Sequence, residues 1–397
     1  MNNPFKPGAW HMPPFLSGRH TEMKDFIELT HQSTILKNII VTGLRWVGKT
    51  VFLEEMRKQI ISTNRWRWVQ NDISESSSIS EENLATRMIA DLSVVTNDIV
   101  VYQEEIQKIG FQIWEHTEVT EMRLNYDFLT YIYHSAPWLA SDKMKHLLEY
   151  VWQLLRENKK DIGIIFAYDE AQNLDDHAKS EQYPLSLLLE VFQSLQRKWA
   201  PFLLVLTGLP TIFPKLVWAR TYSERMFHTI TLDHLSIEES KQAIVRPLQG
   251  LESGYIFSEV IQDEIVRISW GYPYFIQFIS KEVFDFYLST HTEIDVNFLS
   301  QILHKLDEDF FMGRWSNTTD REQELLKVIA WIISDDAEFS IQDILSTERI
   351  QMSSSQINQT LMRLINKGFL YKNRHGKYIF AVPLLGSFIK RNFKNQT

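Results

Sequence analysis

The chain has 397 residues, 44% apolar and 23% charged, a composition that fits two or three globular domains and excludes extensive disorder. It contains no cysteine, which rules out disulfides, thiolate metal sites and a cysteine nucleophile, and its twelve histidines form no His-x3-His pair, which argues against a zinc enzyme. The net charge is −9, yet residues 349–397 hold nine Lys/Arg and no acid, so a basic tail of +9 follows a body of −18.

Residues 1–20 read as an extended N-terminal arm. Pro4, Pro7, Pro13 and Pro14 are interleaved with Phe5, Trp10 and Phe15, aromatics expected to pack it down. The start lacks the apolar core of a signal peptide, and no apolar run approaches the ~18 residues of a membrane helix; the expectation is a cytoplasmic protein with no membrane association. A helical pattern follows from Glu22 to Leu29, with Thr21 as its cap.

The apolar, β-branched run Ile35–Val41 then leads into Gly43-Leu44-Arg45-Trp46-Val47-Gly48-Lys49-Thr50, the spacing of a phosphate-binding loop. The glycines let backbone N–H groups turn around phosphate oxygens, Lys49 reaches the β/γ-phosphates, and the Thr50 hydroxyl can ligate Mg²⁺. From Val51 to Ile61 the spacing predicts a helix whose N-terminus favours an anion. The alternative is an ordinary Gly-rich turn.

Trp66–Gln70 reads as a second strand ending at Asn71-Asp72. Residues 81–160 read as mostly helical, with apolar spacing in Leu84, Met88, Leu92 and in Leu147, Val151, Leu154, Leu155. The aromatics Phe111, Trp114, Tyr126, Phe128, Tyr131, Tyr133 and Trp138 are assigned to core packing over base stacking. The run Ile162–Tyr168 closes on Asp169-Glu170, as a buried parallel strand delivers acids to the C-terminal edge of a sheet. In that reading Asp169 holds Mg²⁺, directly or through water, and Glu170 polarises the attacking water.

After a helix near Leu185–Arg197, the strand Pro201–Leu206 ends in Thr207, a phosphate sensor or a plain strand terminus. Arg220 and Arg225 precede a short strand at Thr229–Leu232; an arginine there can serve a neighbouring subunit as a finger or sit in a surface ion pair. Ser258–Leu288 reads as a helical stretch. Near the C-terminus come helices at Glu322–Ile333 and Ile341–Leu345, a third from Ser353 capped by Gly368, and two strands around the basic tip Asn373–Gly376.

With these residues assembled, the chain resembles the AAA+ ATPases near the origin-recognition group and the related STAND-type ATPases. Phe15-Leu-Ser-Gly-Arg19-x2-Glu22 is similar to the family's N-terminal box beside adenine, Gly43–Thr50 to Walker A, Tyr168–Gln172 to Walker B, Leu206-Thr207-Gly208 to sensor 1, and Ser223-x-Arg225 to the finger segment. Gly271-Tyr272-Pro273-Tyr274 resembles the lid motif that in STAND relatives lies near the base and ribose. It stands where initiators of this group usually carry a sensor-2 arginine, which favours a slow switch. The resemblance implies an α/β fold, a P-loop AAA+ parallel-sheet core with an α-helical lid and a C-terminal winged helix. The expected boundaries are an arm over 1–20, the core over 21–234 with a helical insertion near 95–145, the lid over 235–315 and the winged helix over 316–397. It implies ATP and Mg²⁺, with catalysis by Asp169, Glu170, Thr207 and Arg225, metal ligation by Thr50 and Asp169, and nucleotide contacts from Gly43 to Val51, Arg19 and Pro273. Residues 349–397 are expected to meet duplex DNA, with Ser355, Gln356, Asn358, Gln359 and Arg363 on base edges and Lys372, Arg374 and Lys377 on phosphate. A homo-oligomer or an effector protein is the other expected partner, and a STAND-like signalling or defence ATPase is the alternative function.

Overall fold

A computed structural model of the chain describes residues 2–8, 11–32, 37–101, 122–135, 137–157, 163–251, 254–292, 294–335 and 337–393. It divides into two compact units, one of residues 21–42 and 53–231, the other of residues 1–20, 43–52 and 232–397.

The first unit is built on five parallel strands: β1 (Asn38–Thr42), β2 (Trp66–Asp72), β5 (Gly163–Asp169), β6 (Phe202–Gly208) and β7 (Phe227–Thr231), in the order β2-β5-β6-β1-β7. Every residue of β1, β5 and β6 is buried, which is why these strands read as unbroken apolar runs rather than alternating ones. The helices Glu81–Thr96, Ala140–Glu157 and Pro184–Arg197 supply the covering faces. The second of them buries Met144, Leu147, Leu148, Val151, Leu154 and Leu155, each side chain worth about 1.5–3 kcal/mol when taken fully out of water. Ser80 caps the first by accepting from Asn83 N.

Two expectations are corrected in this unit. The first helix runs His20–Thr30, so Thr21 lies inside its opening turn and cannot be its cap. Among the aromatics assigned to the core, Phe128 and Tyr133 are buried, but Tyr126 and Tyr131 on the same helix, and Trp138 in the bend after it, are exposed. Phe111 and Trp114 lie outside the described residues. Of the expected helical insertion, the described parts are two-residue strands β3 (Val100–Val101) and β4 (Met122–Arg123), paired antiparallel, and the helix Tyr126–His134.

In the second unit the arm is held by Phe5, buried against Phe257 and Phe284 at 5.9 and 6.4 Å, and by Asn3 Nδ2, which donates to Lys281 O and Asp285 Oδ1. Trp10 lies outside the described residues. Helices Ile237–Gln249, Glu259–Ser269, Pro273–Thr290 and Val296–Leu306 follow, so the single helical stretch expected over 258–288 is two helices parted at Gly271-Tyr272, with Pro273 at the first turn of the second. The last of these helices widens into a π-helical turn, Asp307–Met312, before Gly313–Trp315. The C-terminal part comprises helices Asp320–Ile332, Ile341–Leu345 and Ser354–Asn366, the hairpin β8 (Leu370–Arg374) and β9 (Lys377–Phe380), and the helix Leu385–Asn392. Ser353 closes a capping box with Gln356. Among the described residues no helix is long and apolar enough to cross a membrane.

Candidate nucleotide-binding site

Chain continuity takes β1 straight into Gly43. The loop that follows has no room for a side chain at that position: a Cβ there would stand 2.2 Å from Leu232 O, and Gly48 adopts φ +88. Arg19 is buried, and its Nη2 donates to Val47 O at 3.0 Å and Asp233 O at 2.6 Å. By holding the Val47 carbonyl, Arg19 buttresses the loop. Lys49 Nζ donates to Gly43 O at 3.0 Å and Leu44 O at 2.8 Å, within reach of the space a phosphate would share with the loop's N–H groups. Thr50 and Val51 open the helix Lys49–Ile61.

The three residues at the loop's tip are not solvated filler. Leu44 packs against the apolar cluster formed by Tyr371 and Ile379 of the C-terminal hairpin and Ala381 just after it. Trp46 sits at φ +64, a left-handed conformation that costs a non-glycine residue about 1–2 kcal/mol. It is held there by Phe275 at 6.1 Å and Phe310 at 4.8 Å, with the Arg314 guanidinium 5.2 Å from its ring centre. Phe275 lies two residues beyond Pro273, and Phe310 belongs to the π-helical turn. The loop tip is therefore seated on the helix Pro273–Thr290, on the π-helical turn and on the C-terminal hairpin together. None of this was legible in the sequence, where Leu44, Arg45 and Trp46 fill the unspecified positions of the motif.

In the other unit, the register aligns the ends of the central strands: Thr42 pairs with Gly208, Tyr168 with Leu206, and Asp72 with Asp169. Asp169 is buried, and its Oδ1 accepts from Glu170 N at 2.8 Å. Glu170 is exposed, in the left-handed region at φ +52, a strained position of the sort that collects at functional sites. Its carboxylate accepts from Gln172 Nε2, while Gln172 Oε1 accepts from Leu209 N at 3.0 Å. Gln172 thus ties the acid at the end of β5 to the residue that follows β6, a link the sequence reading missed. Partial burial and then the Glu170 charge push Asp72 above the ordinary carboxylate range, against the opposing pull of Arg87. Behind this edge the buried Asp91 accepts from Asn71 Nδ2 at 2.5 Å and pairs with Arg87 at 3.2 Å.

Thr207 is fully buried, and its hydroxyl has no hydrogen-bond partner among the described residues, unusual for a buried polar atom. The two candidate arginines separate. Arg220 pairs with Glu190 at 3.3 Å, whereas Arg225 is exposed and makes no ion pair among the described residues.

No group of three or more His, Asp or Glu suited to a metal is found among the described residues. Mg²⁺ is commonly held by one or two protein oxygens plus waters and substrate phosphates; the Thr50 hydroxyl and, in the other unit, the Asp169 carboxylate each supply oxygen of that type.

A family model described as a domain of unknown function (DUF8462) matches residues 308–389. No curated protein matches the sequence. Among solved structures, a Walker-type ATPase of Pyrococcus abyssi superposes with a TM-score of 0.58 at 16% identity, covering 94% of this chain and 96% of that one. The Cdc6 protein of Pyrobaculum aerophilum gives 0.48 at 15% identity over 97% and 96%, and the ORC2 protein of Aeropyrum pernix 0.46 at 13% over 98% and 98%. At such identity the likeness is one of fold: the chain has an α/β fold on a five-stranded parallel sheet, similar to that of the Walker-type ATPase of Pyrococcus abyssi.

Proposed function

We propose that the protein is a slow, Mg²⁺-dependent ATPase switch whose nucleotide state is passed to its C-terminal domain through the tip of the phosphate loop. The observation that carries this reading is the seating of Leu44 and Trp46 on the C-terminal hairpin and on Phe275, Phe310 and Arg314. A phosphate loop cannot rearrange around its ligand without moving these neighbours. Lys49, now on the carbonyls of Gly43 and Leu44, would exchange them for phosphate oxygens and so release the strand-proximal part of the loop. Bound Mg²⁺ would neutralise charge developing on the phosphates. Thr50 and Asp169 would hold it, Glu170 would orient the attacking water, the Thr207 hydroxyl would meet the water or the phosphate, and Arg225 is the exposed arginine suited to a neighbouring copy. Pro273 would lie near the base and ribose.

For the output, the C-terminal segment has the element order of a winged helix. Its helix Ser354–Asn366 leaves Ser355, Gln356, Asn358, Gln359 and Arg363 exposed, which supports base reading in duplex DNA. The signalling alternative, control of an effector protein, draws support from a different observation. Arg374 pairs with Glu338 and Lys377 with Asp343, and the hairpin's apolar side is committed to Leu44. The test is Mg·ATP turnover in the wild type and in Glu170→Gln: the variant is expected to bind ATP and lose at least about 100-fold in turnover, the scale of a general base. Equal turnover in both would remove Glu170 from the chemistry.

A further inference from the structure

Four basic side chains in the C-terminal part are matched to acids. Lys367 pairs with Glu322, Arg374 with Glu338, Lys377 with Asp343, and Arg391 with Asp307. Arg45 and Arg314 are partly buried yet have no such match. Neither guanidinium makes a hydrogen bond or an ion pair among the described residues, and Arg45 Nε is buried without a partner. One terminal nitrogen of Arg45 lies 3.8 Å from where a Cβ on Gly368 would be, so the side chain is enclosed between the loop and the C-terminal domain. Arg314 lies over the rings of Trp46 and Phe310, at 5.2 and 5.5 Å. Burial, and then the neighbouring charge of Arg45, pull its pKa below the ordinary guanidinium value, and no carboxylate offsets either effect.

Two half-buried like charges side by side are costly, and the cost is relieved by an anion between or beside them. The rings of Trp46 and Phe310 hold Arg314 in place without taking up its N–H donors, and the planar forks of two arginines match phosphate oxygens. We propose that Arg45 and Arg314 together bind the terminal phosphate of a nucleoside triphosphate seated in the loop. The site rests on the nucleotide reading above and deepens it. Loop amides and Lys49 serve the phosphates that a diphosphate also has; the arginine pair answers the extra charge of a triphosphate. Arg314 falls inside the stretch 308–389 matched as a separate domain, so a triphosphate draws that domain onto the loop and a diphosphate leaves the two guanidiniums repelling.

The test is equilibrium binding, by calorimetry with Mg²⁺, of a non-hydrolysable ATP analogue and of ADP to the full-length wild type, Arg45→Gln, Arg314→Gln and Arg314→Lys. The wild type is expected to favour the triphosphate by about 10-fold or more, the scale of one charge-assisted hydrogen bond. Each glutamine variant should bring that preference to within about threefold of unity, and Arg314→Gln, which lies outside the loop, should do so with ADP affinity unchanged. Arg314→Lys, which keeps the charge and loses the stacked fork, should fall between and serves if a glutamine variant fails to fold. Glutamine variants that keep the wild-type preference, or a wild type without one, overturn the arginine site and leave the phosphate loop standing. A wild type that binds neither nucleotide overturns the nucleotide reading itself.

Discussion

Substituting Trp46 separates two properties of its position, the seat and the backbone conformation, because alanine and glycine should rank in reverse of their usual order. The indole makes an edge contact with Phe310 at 4.8 Å, a tilted one with Phe275 at 6.1 Å, and a cation–π contact with Arg314 at 5.2 Å. Aromatic pairs contribute about 0.5–1.5 kcal/mol each and a partly exposed cation–π pair about 0.5–1 kcal/mol, so for a half-buried ring Trp46→Ala should cost about 2–3 kcal/mol. Alanine keeps the Cβ and therefore the left-handed strain at φ +64. Glycine loses the same contacts but relieves about 1–2 kcal/mol of strain, against about 0.5–1 kcal/mol of added unfolded-state entropy. Trp46→Gly should thus be more stable than Trp46→Ala by about 0.5–1 kcal/mol. Urea unfolding read by far-ultraviolet circular dichroism is the assay, since twelve tryptophans would blur a fluorescence signal. An alanine variant within about 0.5 kcal/mol of wild type would refute the aromatic seat, and a glycine variant less stable than alanine would refute the left-handed backbone.

Three further outcomes follow from the same geometry. Gln172→Ala removes the donor to Glu170 and the acceptor for Leu209 N; turnover should fall about 10-fold with nucleotide affinity within about twofold, and unchanged turnover would show that Glu170 is positioned without it. Gly208→Ala places a Cβ 2.6 Å from Gln172 Oε1 and 3.2 Å from its backbone nitrogen, so it should destabilise by about 1–3 kcal/mol and reproduce the Gln172→Ala defect; additive effects in the double variant would argue against a shared cause. At Glu322, burial acts to raise the pKa, but the ion pair with Lys367 and the Thr319 backbone outweigh it and the net direction is down from 4.5. A depressed carboxylate contributes stability above its unfolded value that is lost as pH falls through the folded one. The melting-temperature advantage of wild type over Glu322→Gln should therefore be constant near neutrality and shrink below pH 4.5, and a gap independent of pH would contradict it.

What the sequence disclosed was whatever depends on local spacing. Buried parallel strands announce themselves because both faces are covered, so Ile162–Tyr168 and Pro201–Leu206 needed no partner to be recognised, and the acids at 169 and 170 came with the strand that ends there. Phosphate loops are likewise written in consecutive residues. Contacts that close over long separations left no trace: Leu44 meets the cluster around Ile379, Trp46 meets Phe310, and Gln172 meets Leu209. Helix limits erred where a signal was ambiguous. Thr21 has the chemistry of a cap, yet the helix begins at His20, and Gly271-Tyr272 before Pro273 breaks a stretch whose apolar period runs on either side. The aromatics near 126–138 failed for another reason: large side chains are usually buried, but here the buried positions of the helix are Phe128, Leu129, Ile132 and Tyr133, and Tyr126, Tyr131 and Trp138 are left exposed.

The basic tail shows the same limit for charge, and it yields a number. Counted along the sequence, residues 349–397 carry +9, which suggests a broad phosphate-binding surface. In space, four of those cations are neutralised by acids from outside the segment: Glu322, Glu338, Asp343 and Asp307. Lys390 is spent on the Ile333 carbonyl. The cations left exposed and without an ion pair among the described residues are Arg349, Arg363 and Lys372. If residues 349–397 meet duplex DNA with this arrangement intact, neutralising about three phosphates gives a slope of log K against log salt near −3, where a count of nine would give about −8. Arg363→Gln should flatten the slope by about 1, whereas Arg374→Gln should leave it unchanged, because its charge is already offset by Glu338. A slope near −8 would mean that binding breaks the ion pairs. Binding with the pairs intact would leave the contact between the hairpin and Leu44 free to report the nucleotide.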